Sequence, residues 1–316
     1  MSDIRINQPL RLFAPAKVNL GLEVVRRTDD GYHDVVTLLQ TVSLFDEIHL
    51  TPSNRLAFEG DPRVPINNDL ALRAILLFGE RLGMPLKAKV RIDKRIPIGA
   101  GLGGGSSDAA TILAALCALS GISLSAATSL AAKLGSDVPF FVRGGAALAT
   151  GTGTTLEALP APPRTWFLIV LPDVWIPAKT ASLYARLRDD DFTDGEATRA
   201  IALKLRNGQP VDAALMHNSF ARALSQVPEF ERAKGLMLAE GARFVLPCGA
   251  GPGLFTMPDS WDESWELEQR LRGAGLKVVA CTNVAADVNA CRVRSQSHTD
   301  ADDGSDEFSG IKHQRD

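Results

Sequence analysis

The stretch IPIGAGLGGGSSDAA, residues 96–110, decides how the first half of this chain is interpreted. Five glycines fall between Gly99 and Gly105, and an apolar run follows Asp108. Glycine is entropically costly in ordered structure, so such a concentration needs a physical reason. A glycine-rich loop lets backbone N–H groups converge on an anion, and a helix N-terminus behind the loop adds the helix dipole. The stretch therefore predicts a cradle for a polyphosphate.

The segments on both sides of the loop support this interpretation. LKAKVRIDKRIP, residues 86–97, alternates as a strand does, and SSDAATILAALCALSG, residues 106–121, has helical character. We expect a serine to cap this helix, Asp108 to lie in its first turn and Gly121 to end it. Loop and helix together predict that main-chain amides and the two serine hydroxyls bind phosphate groups.

Three other interpretations of the glycines were weighed. A P-loop requires a lysine directly after its glycines, and none follows here. Gly99, Gly101 and Gly104 satisfy the dinucleotide-binding pattern GxGxxG, but that pattern also needs an acidic residue about 20 residues later. No acidic residue lies between Asp108 and Asp137. A flexible turn without a ligand is the third interpretation, although such a turn rarely needs so many glycines before a capped helix.

Composition narrows the class of protein. The chain has 45% hydrophobic and 22% charged residues, as ordinary globular proteins do. The net charge of −3 argues against a broad nucleic-acid-binding surface. No window holds the roughly 18 apolar residues of a membrane span, and the four cysteines lack CxxC spacing. We therefore expect a cytoplasmic protein that binds neither nucleic acid nor membrane. The predicted polyphosphate cradle indicates small-molecule partners instead.

Strands and helices are mixed rather than strictly alternating, which predicts an α+β fold in two lobes. At 316 residues the chain is long enough for two domains of roughly 150 residues. We expect an N-terminal domain over 1–160, a C-terminal domain over 161–294 and a polar, disordered tail over 295–316. Strands interrupted near Pro15 are expected over 10–25. Helices in the second half are expected over 180–188, 196–206, 210–225 and 228–240.

Four segments together resemble one superfamily of enzymes. The glycine-rich stretch resembles the ATP-binding signature of the GHMP kinases, which include galactokinase and the homoserine, mevalonate and phosphomevalonate kinases. PAKVNLGLEV (15–24), DGYHDVVTLLQTVSLFDEI (30–48) and GSDVPFFVRGGAALATGTG (135–153) are similar to segments of one family in that superfamily, the 4-diphosphocytidyl-2-C-methyl-D-erythritol kinases. The similarity extends over nearly the whole chain, to about residue 290.

The resemblance implies a fold and a reaction. It implies an N-terminal, ATP-binding lobe like domain 2 of ribosomal protein S5 and a ferredoxin-like C-terminal lobe. The implied reaction is ATP-dependent phosphorylation of the C2 hydroxyl of 4-diphosphocytidyl-2-C-methyl-D-erythritol in the non-mevalonate isoprenoid pathway. Mg²⁺ is expected with ATP, because it bridges phosphate oxygens, with Ser107 as its protein contact and the other ligands unassigned. We expect a monomer or a weak homodimer.

Asp137 and Lys17 are the candidate catalytic residues. From the residues alone, Asp137 could equally cap or end a helix, and Lys17 could be a solvated residue of a strand. The resemblance implies that Asp137 takes the proton of the acceptor hydroxyl. It implies that Lys17 lies beside Asp137, keeps it ionised and orients the acceptor. Asn19 shares a strand face with Lys17 and is implied to hydrogen-bond the substrate.

Specificity is assigned to the turn DGYHD and to a second aromatic segment. Tyr32 and His33 could be ordinary surface residues of a polar turn. The resemblance implies instead that Tyr32 stacks on the cytosine ring of the acceptor and that His33 hydrogen-bonds it. Tyr184 is implied to form the opposite wall of the sandwich, with Thr180 nearby.

The remaining candidates concern ATP. Lys94 either lines the adenine pocket, as the resemblance implies, or is a surface lysine of a strand. Asp69 stands where relatives commonly carry asparagine, so Asn68 is the alternative contact. Cys248, in PCGAGPGLF (247–255), is expected to be a small packing residue. The implied ATP-binding residues are Lys94, Pro97, Ile98, Gly99, Ala100, Gly101, Leu102, Gly103, Gly104, Gly105, Ser106 and Ser107.

Two rival functions remain open at this point. The first is another kinase of the same superfamily, such as homoserine or mevalonate kinase, and the motif DGYHDV argues against it. The second is a nucleotide-binding module without catalytic activity. Lys17 and Asp137 argue against that module, because a protein that only binds a nucleotide does not need them.

Overall fold

A computed structural model describes residues 3–177 and 179–286. The tail expected over 295–316 lies outside the described residues. The strands are β1 (Ile4–Arg5), β2 (Leu10–Arg27), β3 (His33–Pro52), β4 (Ala57–Glu59), β5 (Leu86–Asp93), β6 (Ala146–Gly151), β7 (Thr155–Leu159), β8 (Trp166–Val170), β9 (Leu246–Pro247), β10 (Leu254–Thr256) and β11 (Val278–Thr282). The helices are α1 (Leu70–Leu82), α2 (Gly104–Ser120), α3 (Leu124–Ala131), α4 (Val138–Arg143), α5 (Lys179–Tyr184), α6 (Glu196–Arg206), α7 (Ala221–Leu224), α8 (Pro228–Ala239) and α9 (Trp261–Gly273).

A long antiparallel hairpin of β2 and β3 organises the larger sheet. β3 pairs with β2 along almost its whole length, with β6 through residues 35–40 and with β5 through residues 47–52. Among the described residues this sheet has seven strands, ordered β1-β5-β3-β6-β7 with β2 on β3 and β4 on β5. The hairpin therefore connects the two sides of the larger sheet.

β2 is one continuous strand, so the expected interruption near Pro15 is wrong. Its register against β3 shifts at this point, where Pro15 lies opposite Phe45 but Ala16 lies opposite Val42. The strand continues through this shift and keeps its alternation of side chains. Its even-numbered residues are buried in three successive cores: Leu10, Leu12 and Ala14, then Ala16, Val18 and Leu20, then Leu22 and Val24.

The alternation of β2 has a consequence for its odd-numbered residues. Lys17 and Asn19 lie on the face opposite Ala16 and Val18, because successive side chains of a strand point to opposite sides. Both line a cleft between the two halves of the molecule. The polar residues of this apolar strand are thus displayed at the cleft while their neighbours pack in the core.

Helix α1 shows how local sequence sets a helix end. Asp69 accepts hydrogen bonds from the backbone N–H groups of Ala71 at 2.9 Å and Leu72 at 3.3 Å, as an N-cap does. The helix stops at Gly83, whose φ of 64° is left-handed. Asp69 therefore has a structural role that explains an acidic side chain at this position.

Helix α2 begins earlier than the sequence predicts. Its N-cap is Gly103 and its first residue is Gly104, so a serine does not cap it. Asp108 consequently lies in the second turn rather than in the first, and it is buried. Gly121 ends the helix in a left-handed conformation with φ of 69°, as predicted. The early start places the last glycines of the loop inside the helix.

The second half forms a smaller sheet with its own helices. In the described part of the chain this sheet has four strands in the order β11-β8-β10-β9. The helix expected over 210–225 is replaced by a 3₁₀ turn at 213–215 and the short α7. Phe167 and Phe255 of this sheet share a core with Val18 and Leu38 of the hairpin, so the two halves pack together.

The chain returns to the first sheet after β11. The N–H of Val284 donates to the Thr41 carbonyl at 2.9 Å, and the Thr41 hydroxyl donates to the Val284 carbonyl at 3.0 Å. The segment that follows β11 is therefore hydrogen-bonded to the middle of β3. No helix among residues 3–177 and 179–286 combines the length and the apolar character needed to cross a bilayer.

Candidate active site

A cleft of about 420 Å³ lies between the hairpin, the glycine-rich loop and the second half of the chain. It brings together most residues that the sequence singled out. Those that line it are Lys17, Asn19, Lys94, Pro97, Ile98, Gly99, Gly101, Leu102, Gly103, Gly104, Gly105, Ser106, Asp137, Thr180 and Tyr184. Ala100, Ser107, Tyr32 and His33 are not part of the lining.

The glycine-rich loop requires its glycines for two reasons. Gly99, Gly101 and Gly103 have φ values of 78°, 93° and 75°, which side chains rarely tolerate. A Cβ on Gly101 would also lie 1.8 Å from the backbone oxygen of Cys248. The loop is therefore pressed against the second glycine segment, and the Gly253 N–H donates to the Ala100 carbonyl at 3.1 Å.

The start of α2 faces the cleft without a cap from any side chain. The N–H groups of its first turn are thus left for an external acceptor, and an anion at a helix N-terminus satisfies them. Ser106 lines the cleft at this turn. Ser107 points elsewhere, since its side chain is fully buried and its hydroxyl finds no partner among the described residues. Of the two serines predicted to bind phosphate groups, only Ser106 therefore has its side chain at the cleft.

Lys17 and Asp137 form an ion pair across the cleft, with Nζ 3.8 Å from Oδ2. The Lys17 side chain is only 6% exposed, whereas that of Asp137 is 40% exposed and faces the open space. Asp137 immediately precedes α4, but its side chain makes no capping hydrogen bond. The carboxylate is therefore available to a ligand, and the capping explanation does not account for it.

A chain of hydrogen bonds holds the lysine in place. Lys17 Nζ donates to Asn19 Oδ1 at 2.7 Å, and Asn19 Nδ2 donates to Thr37 Oγ1 at 2.7 Å. The Thr37 hydroxyl donates onward to the Gly21 carbonyl at 2.7 Å. A Cβ on Gly249 would lie 2.8 Å from Lys17 Nζ, so the second glycine segment closes over the ammonium. These contacts fix the ammonium beside the carboxylate.

A second lysine, Lys179, enters the same cleft from α5. Its Nζ donates to the carbonyl of Gly99, in the glycine-rich loop, at 3.1 Å. Burial and, to a smaller extent, the charge of Lys17 lower the pKa of this ammonium to about 8, although Asp137 opposes the shift. Two ammonium groups therefore face one carboxylate, which leaves this end of the cleft positively charged.

Lys94 is buried between two carboxylates, so it is not a surface lysine of a strand. It hydrogen-bonds Asp46, and its Nζ lies 2.6 Å from Asp108 Oδ2. Burial alone would lower the pKa of Lys94, but Asp108 and Asp46 outweigh it and raise the pKa. Burial raises the pKa of Asp108 to about 7, assisted by Asp46 and opposed by Lys94. Asp46 also accepts from the backbone N–H groups of Arg95 and Ile96, which anchors the loop.

Two aromatic side chains at the other end of the cleft are stacked on each other. The ring of His33 stacks on Tyr184, with centroids 4.4 Å apart and planes 28° from parallel. Tyr32 is 65% exposed and is not among the residues that line the cleft. Burial raises the pKa of Tyr184 to about 12, and burial together with Arg27 lowers the pKa of His33. Both rings are therefore neutral near pH 7.

Some residues of the site were missed by sequence reasoning. Lys179 stands in an apolar segment, IPAKTASLY, where a lysine is unusual and could have been noticed. Thr37 lies within an alternating strand and carries no signal of its own. Asn218 donates to the carbonyls of Pro247 and Gly249 at 3.1 and 3.0 Å and so shapes the second glycine segment. Cys248 is fully buried, and burial raises the pKa of its thiol to about 12, as a packing role requires.

Comparisons with known proteins agree with this fold. The profile of the family described as GHMP kinases N terminal domain matches residues 69–145. A crystal structure of homoserine kinase from Cytophaga hutchinsonii superposes with a TM-score of 0.63 at 18% identity, covering 89% of this chain and 96% of that one. At that identity the likeness shows the fold alone. The chain thus has the mixed α/β fold of the GHMP kinases, as predicted.

More similar proteins define the family within that superfamily. A 4-diphosphocytidyl-2-C-methyl-D-erythritol kinase of Dehalococcoides mccartyi is 39% identical over 254 residues, 78% of this chain and 89% of the relative. One from Thermus thermophilus is 38% identical over 264 residues, 83% and 92% of the two chains. A crystal structure of 4-(cytidine 5'-diphospho)-2C-methyl-D-erythritol kinase has a TM-score of 0.73 at 38% identity, covering 87% of this chain and 99% of that one. The chain belongs to the family of 4-diphosphocytidyl-2-C-methyl-D-erythritol kinases, which confirms the predicted family.

Proposed function

We propose that this protein transfers the γ-phosphoryl group of ATP to the C2 hydroxyl of 4-diphosphocytidyl-2-C-methyl-D-erythritol, giving the 2-phosphate and ADP. The family supports a small-molecule kinase that uses ATP. The observation that carries the proposal is the Lys17–Asp137 pair at 3.8 Å, in the same cleft as a glycine-rich loop and an uncapped helix N-terminus. These are the parts that phosphoryl transfer to an alcohol needs.

The roles of the chain's residues follow from their positions. Amides of the loop and of the first turn of α2 hold the phosphates. Asp137 accepts the proton of the acceptor hydroxyl as its oxygen attacks the γ-phosphorus. The Lys17 ammonium stabilises the carboxylate before the transfer and the negative charge on the phosphoryl oxygens during it. Asn19 keeps that ammonium in position through its 2.7 Å hydrogen bond.

The acceptor is assigned to the end of the cleft where Thr180 and Tyr184 lie. The stacked pair of His33 and Tyr184 offers a flat aromatic surface beside the phosphoryl site. Such a surface suits a cytosine ring, which has a π-face and a polar edge. We assign Tyr184 as the wall that contacts the base and His33 as its support, with Tyr32 at the rim.

The residues present fit Mg²⁺ bound mainly through the nucleotide. No cluster of three or more histidine, cysteine, aspartate or glutamate side chains forms a metal cage among residues 3–177 and 179–286. Mg²⁺ needs no such cage, since it keeps several waters and uses substrate phosphates with one or two protein oxygens. We assign the Ser106 hydroxyl, which lines the cleft, as its contact in place of the buried Ser107. The ion neutralises phosphate charge when bound.

We also assign domains, a cellular location and an oligomeric state to this protein. Residues 1–160 are assigned as an ATP-binding lobe like domain 2 of ribosomal protein S5, and residues 161–294 as a ferredoxin-like lobe. The separate sheets of seven and four strands in the described residues support this division. A cytoplasmic location is supported by the free thiols of Cys117, Cys248 and Cys281. We also propose that the protein is a monomer or a weak homodimer.

The test is a coupled assay of ADP release with three acceptors. Purified protein is supplied with ATP, Mg²⁺ and either 4-diphosphocytidyl-2-C-methyl-D-erythritol, homoserine or mevalonate. We expect turnover with the cytidyl acceptor at least 100-fold above that with the other two, in keeping with a site that recognises a base. Preference for homoserine or mevalonate would replace the assignment by another kinase of the superfamily, and tight ATP binding without turnover by a binding module.

A further inference from the structure

Lys179 lies between the proposed binding sites of ATP and of the acceptor. On one side its Nζ donates to the Gly99 carbonyl, at the start of the glycine-rich loop. On the other side Thr180 and Tyr184 of the same short helix line the acceptor end of the cleft. Lys17 is close enough for its charge to act on Lys179. The ammonium of Lys179 is thus near the place where donor and acceptor meet.

The charges in the cleft leave Lys179 without a counterion. Lys17 lies 3.8 Å from Asp137 and also donates to Asn19. Within the described ranges, no carboxylate oxygen lies within 4.0 Å of Lys179 Nζ, and its hydrogen bond goes to a neutral carbonyl. A cation removed from water without a counterion is costly, and the cost is offset when an anion binds. Burial and the neighbouring Lys17 lower the pKa of Lys179 to about 8, as this imbalance predicts.

We propose that Lys179 binds the oxygens of the phosphoryl group while it passes from ATP to the acceptor. The inference rests on the proposed function and adds a second cation to its site. Backbone amides suit the phosphates that remain on ADP, because they are fixed to the loop and to α2. The phosphoryl group in transit lies beyond them, where an ammonium on a flexible stem reaches it and stabilises charge on its equatorial oxygens.

Lys179 stays positively charged throughout the proposed transfer. The acceptor O–H bond breaks and its proton goes to Asp137, while the oxygen forms a bond to the γ-phosphorus. The bond between that phosphorus and the β,γ-bridging oxygen breaks, and ADP leaves with the electron pair. Lys179 donates hydrogen bonds to the transferring group and gives up no proton.

Three variants test the inference. Lys179→Met removes the ammonium and keeps an apolar stem of similar length, and Lys179→Arg restores a cation. Lys277→Met is the matched control, because Lys277 is an exposed lysine outside the cleft. For each variant we measure kcat, both KM values, the melting temperature, and the affinities for ADP and for a non-hydrolysable ATP analogue.

We expect Lys179→Met to lower kcat about 100-fold or more, with the acceptor KM changed less than about threefold. Its affinity for the ATP analogue should fall about tenfold more than its affinity for ADP, because only the analogue carries the third phosphate. Lys179→Arg should recover part of both losses. Lys277→Met should match the wild type in every measurement.

Other results would overturn the inference. An increased acceptor KM with unchanged kcat would place Lys179 on the diphosphate of the acceptor. Equal losses in the Met and Arg variants, accompanied by a lower melting temperature, would make it a structural tether of the loop. If the wild type itself shows no turnover, the proposed function fails, while the comparison of ADP with the analogue still decides whether Lys179 binds the terminal phosphate.

Discussion

The carboxylate of Asp137 stands at the start of a helix, where an aspartate commonly serves as a cap, and it does not cap that helix. Its side chain is 40% exposed toward the cleft and lies 3.8 Å from the Lys17 ammonium. A carboxylate held next to a buried cation and open to a ligand is placed to receive a proton. At the scale of single residues, this arrangement is what distinguishes a kinase site from a nucleotide-binding site.

Replacing Asp137 by asparagine separates those two functions. Asp137→Asn keeps the shape of the side chain and removes its ability to accept a proton, so kcat should fall about 100-fold or more. ATP affinity should stay within a few-fold, because the glycine-rich loop is untouched. Single-turnover kinetics and calorimetric titration with an ATP analogue measure the two effects. Near-normal turnover in this variant would show that another group takes the proton.

The aromatic residues give a second prediction at this scale. Stacking of a base on an aromatic ring contributes about 1–3 kcal/mol. Tyr184→Leu should therefore raise the acceptor KM about 5- to 160-fold while the KM for ATP changes little. Tyr32→Ala is the matched control and should have a smaller effect, since Tyr32 is 65% exposed and outside the lining. A larger effect at Tyr32 would mean that the turn closes onto the acceptor when it binds.

Sequence reasoning at this scale reached the identities of most site residues, but not their contacts. Lys17 and Asp137 are far apart in the chain, so no local pattern reports their 3.8 Å approach. The resemblance suggested that contact, whereas spacing alone could not. Lys179 could have been noticed as a lysine in an apolar segment, but its contact could not be predicted, because its partner is a backbone carbonyl of the loop and a backbone partner leaves no signature in the sequence. Tyr32 was expected to stack on the cytosine ring because the resemblance implies that role, and no spacing reports that its side chain is 65% exposed and outside the cleft lining.

At the scale of elements, the contact between the two glycine segments sets the shape of the cleft. The carbonyl of Cys248 lies where a side chain at residue 101 would begin, and a Cβ on Gly251 would lie 2.3 Å from the Ala100 oxygen. Neither clash can be relieved by rotating a side chain, because both involve backbone atoms. The two segments therefore depend on each other's glycines.

Gly101→Ala tests this dependence, with Gly121→Ala as its control. Both glycines have left-handed φ values, 93° and 69°, but a Cβ at 121 has no neighbouring atom within 4 Å. Gly121→Ala should lower the free energy of unfolding by about 1 kcal/mol, the cost of the conformation alone. Gly101→Ala should lower it by several times as much and abolish ATP binding. Urea unfolding and analogue titration measure both, and equal effects would contradict the proposed close packing.

The Asp46–Lys94–Asp108 cluster predicts a pH dependence of stability. The pKa of Asp108 is raised to about 7 by burial, against 3.8 in an ordinary environment. The protonated form thus stabilises the fold below about pH 4, and this contribution is lost as the pH rises through 7, at up to about 1.4 kcal/mol per pH unit. Asp108→Asn cannot ionise, so its stability relative to the wild type should rise between pH 4 and pH 7. Urea unfolding at pH 5 and pH 8 measures the difference, and a constant difference would contradict it.

The elements were predicted well where periodicity is strong and less well at their ends. Helix α2 begins at Gly104 because the packing of this helix against α1 and β2 outweighs the poor helix propensity of glycine. The helix expected over 210–225 fails because Asn218 uses its side chain to bond the carbonyls of the second glycine segment. The chain there follows tertiary hydrogen bonds rather than its local preference.

At the scale of the whole molecule, the long hairpin of β2 and β3 belongs to the larger sheet, packs against the smaller one and so holds the two together. Its even-numbered residues enter three cores in succession, and the second core contains residues from both sheets. The mixed order of strands and helices was enough to predict an α+β fold with two halves. The tie between Thr41 and Val284 could not be predicted, since it depends on where the chain returns after β11.

Thr41→Val tests how strongly that tie couples the halves. The Thr41 hydroxyl donates to the Val284 carbonyl at 3.0 Å in a part-buried contact and accepts from the buried N–H of Gly145 at 2.9 Å. The Val284 carbonyl keeps a hydrogen bond from Gln40 Nε2, but the Gly145 N–H loses its acceptor, which should lower the free energy of unfolding by about 1–3 kcal/mol. The wild type and the variant should both unfold in one transition in urea, followed by fluorescence and circular dichroism. Two separate transitions would show that the halves unfold independently.

The backbone contact between the loop around Gly101 and the segment around Gly251 also restricts how ligands enter. The two halves of the molecule cannot swing apart like a hinge at this seam without breaking the 3.1 Å hydrogen bond between Gly253 and Ala100. Trp175, whose exposed ring lies against Gly99, borders the glycine-rich loop. A nucleotide that leaves the hydrogen bond between Gly253 and Ala100 intact therefore exchanges through the open side of the cleft.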